Sequence, residues 1–302
     1  MKVTNDPQAI DVRFVGHLCY DEIFPYGGES YLQCGSAALC GAAVAVRLGL
    51  RTDVVTRMHP DDTKPAAGLL ELGAKVHIVP AEHTTLAQVI HRSENMDERE
   101  LLVLKDAGPF VPEDVPETPP ARITHLAGIS DHEFTLPFVQ SLAARGECLS
   151  MDMQALVRVL DEKRRVCFSS PENVENFVAC LHYVKLDIVE AEKITGTRDL
   201  AKAARQFVAW GAKEVLITEQ AGATLAVGDT VMQAPFTNEN QSGRTGRGDT
   251  TMSAYLCRRL THEPAEALQF AAALVSLKME TPGPFTGTLE QVEQRMAQID
   301  VK

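Results

Sequence analysis

Positive charge is in deficit in this chain. The 29 lysines and arginines face 41 acidic residues, leaving a formal net charge of -12. That balance disfavours nucleic acid or an anionic membrane surface as the main partner. It leaves room for a phosphorylated ligand held in a locally basic pocket. No apolar run approaches about 18 residues without a charge, so no segment reads as membrane-spanning. Asp6 and Asp11 stand where a secretory signal would carry its basic and apolar regions, and the expectation is a cytoplasmic, soluble protein. The seven cysteines (Cys19, Cys34, Cys40, Cys148, Cys167, Cys180 and Cys257) are odd in number and form no close CxxC pair. Buried free thiols in a reducing compartment fit them better than a metal site or a disulfide framework. Internal repeats and low-complexity segments are lacking as well.

What is present is enough apolar material for a full core: 45% of the 302 residues. The length suits one large domain with at most a small appendage. Short apolar runs alternate with longer helical patterns, the mark of an α/β domain. Strands are expected at residues 12–15, 53–56, 76–79, 101–104, 123–126, 148–151, 165–168, 183–186 and 214–218. Residues 224–227 and 230–234 flank Gly228-Asp229 and read as a hairpin. Helices are expected at residues 36–48, 65–72, 134–144, 171–180, 200–210, 251–260 and 265–278. Ser170 followed by Pro171 supplies a cap and a pre-set first helical residue, and Thr288 with Gln291 makes a capping box for a last helix.

The stretch Ser242-Gly243-Arg244-Thr245-Gly246-Arg247-Gly248-Asp249-Thr250 carries the most chemistry. Glycines at the start of a helix let backbone N–H groups converge on an anion, and the helix dipole adds to the attraction. Asp249 at the same point can take a proton from a hydroxyl. Together these are the minimum equipment for moving a phosphoryl group onto an alcohol, a reaction driven mainly by positioning and electrostatics. The competing interpretation is a surface turn in which Asp249 caps its own helix.

This segment resembles the anion-hole signature of the ribokinase-like (PfkB) carbohydrate kinase family, in which a Gly-x-Gly-Asp run ends in the catalytic base and opens a helix. The resemblance extends over nearly the whole chain. Gly16 to Asp21 is similar to the family's first strand and acceptor-binding aspartate. Gly27-Gly28 and the stretch from Gly35 to Gly49 resemble its glycine-rich turn and the helix ending Arg-Leu-Gly. Asp187 to Gly196 resembles its Asn-x-x-Glu region.

The resemblance implies a ribokinase-like three-layer α/β/α domain spanning residues 1–302, with a mostly parallel central sheet. A small β-sheet lid would be formed by segments near 18–35 and 80–108 and would close over the acceptor. It also implies roles: Asp249 as base, Gly246, Arg247 and Gly248 as anion hole, and Asp21, Gly35 and Cys40 against the acceptor. Arg244 would hold phosphate. Thr218, Gly222, Ala272, Ala273 and Ser276 would line the nucleotide, and Asp187 with Glu190 would organise magnesium through water. ATP and Mg2+ are the implied cofactors, the partner is a small hydroxyl-bearing molecule, and a homodimer through the lid is compatible with its exposed edges. Rival readings are a solvated loop for Asp21, surface pairing with Lys185 or Lys193 for Asp187 and Glu190, and helix packing for Ala272, Ala273 and Ser276.

Three positions depart from the family pattern. Cys40 stands where an asparagine usually binds the sugar, and a thiol cannot replace an amide's paired hydrogen bonds. Gly243 replaces an aspartate, which unsettles the associated monovalent-cation site. Asp187 replaces the asparagine of Asn-x-x-Glu. Arg244 and Arg247 add guanidiniums that can clamp phosphate oxygens or an anionic acceptor. The reading is a kinase for a sugar, polyol, cyclitol or nucleoside hydroxyl. The Gly16-His17 to Asp21 opening resembles the branch acting on inositol-like rings, and a vitamin-like hydroxymethyl group is a lesser alternative. A protein that binds nucleotide or metabolite without turnover is the reading from another class.

Overall fold

A computed structural model describes residues 9–94 and 99–302. Asp6, and positions 95–98 of the segment expected in the lid, lie outside the described residues. The strands are β1 (Ile10–Val15), β2 (Cys19–Phe24), β3 (Tyr31–Gly35), β4 (Thr52–Met58), β5 (Lys75–Pro80), β6 (Leu86–His91), β7 (Arg99–Lys105), β8 (Ala121–Leu126), β9 (Leu149–Asp152), β10 (Arg158–Leu160), β11 (Val166–Phe168), β12 (Tyr183–Asp187), β13 (Glu214–Thr218), β14 (Gly222–Val227) and β15 (Thr230–Pro235). The helices are α1 (Ala37–Arg47), α2 (Lys64–Glu71), α3 (Leu136–Ala144), α4 (Gln154–Val157), α5 (Val174–Val178), α6 (Ile188–Thr195), α7 (Leu200–Ala209), α8 (Arg247–Arg259), α9 (Pro264–Met279) and α10 (Leu289–Met296).

A nine-stranded sheet in the order β15-β14-β13-β12-β9-β8-β1-β4-β5 forms the middle layer. From β13 to β5 the neighbours are parallel, and the β14–β15 hairpin closes one edge antiparallel. Both faces are covered, so these strands read as continuous apolar runs. Successive residues feed opposite cores: Phe14 and Val54 pack with α1, α8 and α9, while Val15 and Val55 pack with α3, α5 and α7. The three-layer α/β/α architecture follows from that two-sided burial.

A separate four-stranded sheet, β3-β2-β6-β7, is built from the segments after β1 and around residues 80–108. His17 sits where the two sheets join and is 1% exposed. Its Nε2 lies 2.9 Å from the Gly108 carbonyl, and its Nδ1 lies 2.9 Å from the Thr85 hydroxyl. A carbonyl only accepts, so Nε2 carries a proton, and Nδ1 shares a hydrogen bond with the Thr85 hydroxyl. The Thr85 oxygen in turn accepts from the Ala107 N–H at 3.1 Å. One ring thus fastens both long crossings into the smaller sheet.

The strand expected over residues 165–168 is present as Val166–Phe168, paired antiparallel with β10 in a two-stranded ribbon. One local expectation is corrected. The helix expected over residues 171–180 is only Val174–Val178 and is entered through left-handed Asn173 (φ 58°), not through Ser170 and Pro171. The capping box at Thr288 and Gln291 is formed on both sides. All seven cysteines are free, but only Cys19 and Cys257 are fully buried and Cys167 is exposed. No helix among the described residues is long and apolar enough to cross a membrane.

Candidate active site

Ligands of open α/β sheets gather at the carboxyl ends of the strands. Here Lys185 of β12 and Thr218 at the end of β13 meet the first turn of α8, with Asp152 at the end of β9 behind Lys185. The helix starts at Gly246, whose φ of 82° is left-handed, and no side chain caps it. Asp249 therefore does not spend its carboxylate as the cap. The first-turn N–H groups of Gly248 and Asp249 have no partner within the helix, as at any helix start. Asp249 is half-buried beside them.

Close packing beneath this turn explains the glycines. A β-carbon on Gly246 would lie 3.0 Å from the Cys40 sulfur. One on Gly248 would lie 2.6 Å from the Lys185 ammonium and 3.9 Å from the Thr218 hydroxyl. Lys185 is 3.0 Å from Asp152 and 3.8 Å from Glu190. Burial pulls its pKa down, but Asp152, Glu190, Asp249 and Asp187 outweigh that and hold it above the ordinary lysine value. A permanent positive charge thus stands directly behind the first turn of α8.

Asp187 caps α6, accepting from the Glu190 N–H at 2.8 Å, and Glu190 accepts from the Asp187 N–H at 2.8 Å. Glu190 is completely buried, and Arg158 reaches it at 3.4 Å. It is not paired at the surface with Lys193. Asp187, half-buried, is the member of the pair that keeps access to the cleft. Among the described residues no group of three or more His, Cys, Asp or Glu side chains could hold a metal ion directly.

Asp21 faces Asp249 from the smaller sheet. Its carboxylate rests on Gly35, where a β-carbon would come within 1.9 Å of Oδ2, and the Cys19 thiol donates to it at 3.6 Å. Burial, and to a lesser extent the charge of Asp249, raises the Asp21 pKa against the opposing pull of Cys19 and Arg99. Burial and the same Asp249 charge push the Cys40 thiol up to about 12, so Cys40 meets any ligand as a neutral, weakly polar group. Arg99, on β7, feels the charges of Asp249, Asp21 and Asp187.

On the other side of α8's start, burial lowers the pKa of Arg244 and of Arg247, and for Arg247 the neighbouring Arg244 charge lowers it further. Thr218 closes β13 beside Gly248. Gly222 opens β14 and is paired with Pro235. Ala272, Ala273 and Ser276 are all fully buried. The Ser276 hydroxyl donates to the Ala272 carbonyl at 2.6 Å and accepts from the Thr237 N–H at 2.9 Å.

The structure therefore brings Asp21, Gly35, Cys40, Asp187, Thr218 and the Gly246–Asp249 turn to one cleft. Sequence reasoning missed Asp152, Arg158 and Lys278, and weighed Lys185 only as a surface partner. Their signal was weak: a charged residue in an apolar strand or helix, buried only because a partner meets it there.

A family model for the pfkB family carbohydrate kinase matches residues 32–291. The chain is 25% identical over 266 residues to the cytidine kinase of Thermococcus kodakarensis, covering 85% of this chain and 91% of that one. A pyrophosphate-dependent kinase in the ribokinase family, solved with a pyrophosphate analog and myo-inositol, superposes with a TM-score of 0.85 at 29% identity, over 94% of this chain and 99% of that chain. The sulfate complex of a pyrophosphate-dependent kinase in the ribokinase family gives 0.86 at 30% identity, over 93% and 99%.

Proposed function

Since the chain belongs to the pfkB family of carbohydrate kinases, we propose that it transfers a phosphoryl group to a ring hydroxyl of a cyclitol, sugar or nucleoside, with Asp249 as the base. The observation that carries this is the first turn of α8: an uncapped glycine start, a half-buried aspartate not used as the cap, and Lys185 directly behind. The acceptor lies between Asp21 and Asp249. Its O–H proton passes to Asp249 while its oxygen bonds to phosphorus, and the bond from phosphorus to the donor's bridging oxygen breaks. Charge gathering on the phosphoryl oxygens is met by the free N–H groups of Gly248 and Asp249 and by the Arg247 guanidinium, whose own backbone N–H is already bonded to the Arg244 carbonyl at 3.1 Å. The smaller sheet, built from the segments near 18–35 and 80–108, acts as a lid over the acceptor, excluding water as the competing acceptor.

A cyclitol suits the acceptor side best. Cys40, neutral and without an amide's paired bonds, asks less of the ligand at that point, and the myo-inositol complex belongs to a relative that superposes over most of both chains. Magnesium fits Asp187 through a water molecule, because one carboxylate oxygen is committed to the Glu190 N–H and the other remains; Glu190 serves by fixing that carboxylate. The ion would neutralise phosphate charge when bound.

For the donor, ATP is the family reading, with Thr218 and Gly222 on the nucleotide side. A second reading, inorganic pyrophosphate, is favoured by one observation. Ala272, Ala273 and Ser276 offer no surface to an adenine ring, while Arg244 and Arg247 crowd the donor side. A cytoplasmic site suits the free thiols, and Tyr31 and Leu32, 52% and 53% exposed on the lid's edge strand, suit a homodimer through the lid. The test is turnover with cyclitols, sugars and nucleosides, using ATP or pyrophosphate, in wild type and Asp249→Asn. Acceptor-dependent turnover lost by about 10²–10⁴-fold in the variant is the expected result. Tight donor binding with no turnover on any acceptor would instead make the protein a non-catalytic binder.

A further inference from the structure

Lys278 ends the last turn of α9 and is 2% exposed. Its ammonium donates to the backbone carbonyls of Gly243 and Thr245, the two residues that flank Arg244 on the approach to the anion hole. The same nitrogen lies 3.8 Å from the position of a β-carbon on Gly246. The strap is seated on α9 from the other side as well. The Gly243 N–H donates to the Met279 carbonyl at 2.7 Å, and the Ser242 hydroxyl donates to the Glu280 carbonyl at 2.8 Å. A β-carbon on Gly243 would lie 1.8 Å from the Thr281 carbonyl oxygen, so no side chain fits between strap and helix.

A cation held by converging backbone carbonyls is the chemistry of a dehydrated potassium or ammonium ion. Here the chain supplies the cation itself, already tethered and already stripped of water. A charge buried this deeply persists only when dipoles or counter-charges compensate it. The two carbonyls and the carboxyl end of α9 supply the dipoles; burial lowers the Lys278 pKa, and the nearby Asp249 charge opposes that pull. The space a free ion would need among these carbonyls is taken by Nζ, so the strap does not fit a monovalent cation there.

We infer that Lys278 is a built-in monovalent cation, a positioning residue that draws the Gly243–Thr245 strap into place and so sets the free first-turn N–H groups of α8, those of Gly248 and Asp249, on the transferring phosphoryl group. The protein accordingly works without potassium. This rests on the kinase reading above, and the test separates the two.

The full-length wild type and Lys278→Ala are compared in potassium, ammonium, sodium and tetramethylammonium chloride at equal ionic strength. Turnover of the wild type changes by less than about twofold among the salts, the size of an ordinary screening effect. Lys278→Ala loses about a hundredfold in tetramethylammonium, as expected when anion-hole donors are misplaced, and regains about tenfold in potassium or ammonium, which enter the vacated carbonyl site. Melting temperatures are read in the same salts and need no turnover: the wild type is indifferent, and the variant is raised by potassium over tetramethylammonium. A protein with no kinase activity but this melting pattern would sink the function and keep the built-in cation. A wild type activated or stabilised by potassium overturns the inference. So does a folded Lys278→Ala that keeps full turnover in tetramethylammonium, or whose loss no cation restores. Where Lys278→Ala does not fold, the wild-type salt series decides alone.

Discussion

The Lys185 ammonium lies directly beneath Gly248, 2.6 Å from where that residue's β-carbon would stand. Lys185 cannot easily yield, because Asp152 holds it at 3.0 Å and both groups are buried. Gly248→Ala must then move the turn rather than the lysine. Alanine gains about 1 kcal/mol of helix propensity over glycine, which offsets much of the strain in the fold. Catalysis has no such offset, since donors displaced from an anion hole cost about 10²–10³ in kcat. The expected outcome is a melting temperature near that of the wild type with a kcat lower by that factor. A Gly248→Ala enzyme with unchanged kcat would remove the anion-hole role from this turn.

Histidine burial gives the protein a pH-dependent stability with a definite sign. His125 is 2% exposed on β8 and bonds the Ser150 hydroxyl at 2.8 Å. Burial, reinforced by the Lys185 charge, pushes its pKa down to about 3. The folded protein therefore refuses a proton that the unfolded chain accepts below about pH 6.5. Stability is complete above that value and is lost as pH falls toward 3, at about 2 kcal/mol between pH 6.5 and 5. His77, His91 and His182, also lowered chiefly by burial, act in the same direction. Urea unfolding at the two pH values measures the slope. His125→Asn should reduce it, and an unaltered slope in that variant would assign the effect elsewhere.

How much was legible beforehand depended on whether a signal was local. The α8 turn could be read because the glycine spacing lies in nine consecutive residues, 242–250, and the helical pattern of residues 251–260 follows directly. The parallel strands could be read because two-sided burial makes them apolar runs. The strand at Val166–Phe168 could be read, but not its partner β10, because strand chemistry does not say which sheet a strand joins. Residues 171–180 carried a cap and a proline, yet the chain turns once more through Asn173 before becoming helical. Lys185 and Lys278 were illegible as site residues. What makes each one matter is a partner far away in sequence: Gly248 for Lys185, and Gly243 and Thr245 for Lys278.

Thr85 is the joint most sensitive to a conservative change. Its hydroxyl bonds His17 Nδ1 and accepts from the Ala107 N–H, so one oxygen ties the crossings on both sides of β6 and β7. Thr85→Val keeps the shape and removes both bonds, leaving two buried groups unsatisfied at about 1–3 kcal/mol each. Because the smaller sheet hangs from this joint, the loss falls on lid closure more than on the main sheet. KM for the acceptor should rise several-fold, and limited proteolysis should cut sooner within residues 80–108 than elsewhere. Uniformly faster cleavage over the whole chain would show that the joint supports global stability instead.

Cys40 separates a substrate contact from a structural one. Restoring the asparagine of the family pattern would be expected to recover an ordinary sugar site if the side chain touched only the acceptor. The structure gives a different expectation, because the Cys40 sulfur already lies 3.0 Å from the β-carbon position of Gly246. Asparagine is longer and carries a polar head that must find partners in that space. It would press on the left-handed glycine that starts α8. Cys40→Asn should therefore lower kcat by about tenfold or more with every acceptor, as misplacement of a catalytic turn does. Cys40→Ser, which shortens the side chain and keeps a small polar group, should stay within about threefold of wild type. Should Cys40→Asn instead gain activity on a sugar while keeping its cyclitol kcat, the residue acts on acceptor choice alone, and its contact with Gly246 has no catalytic weight.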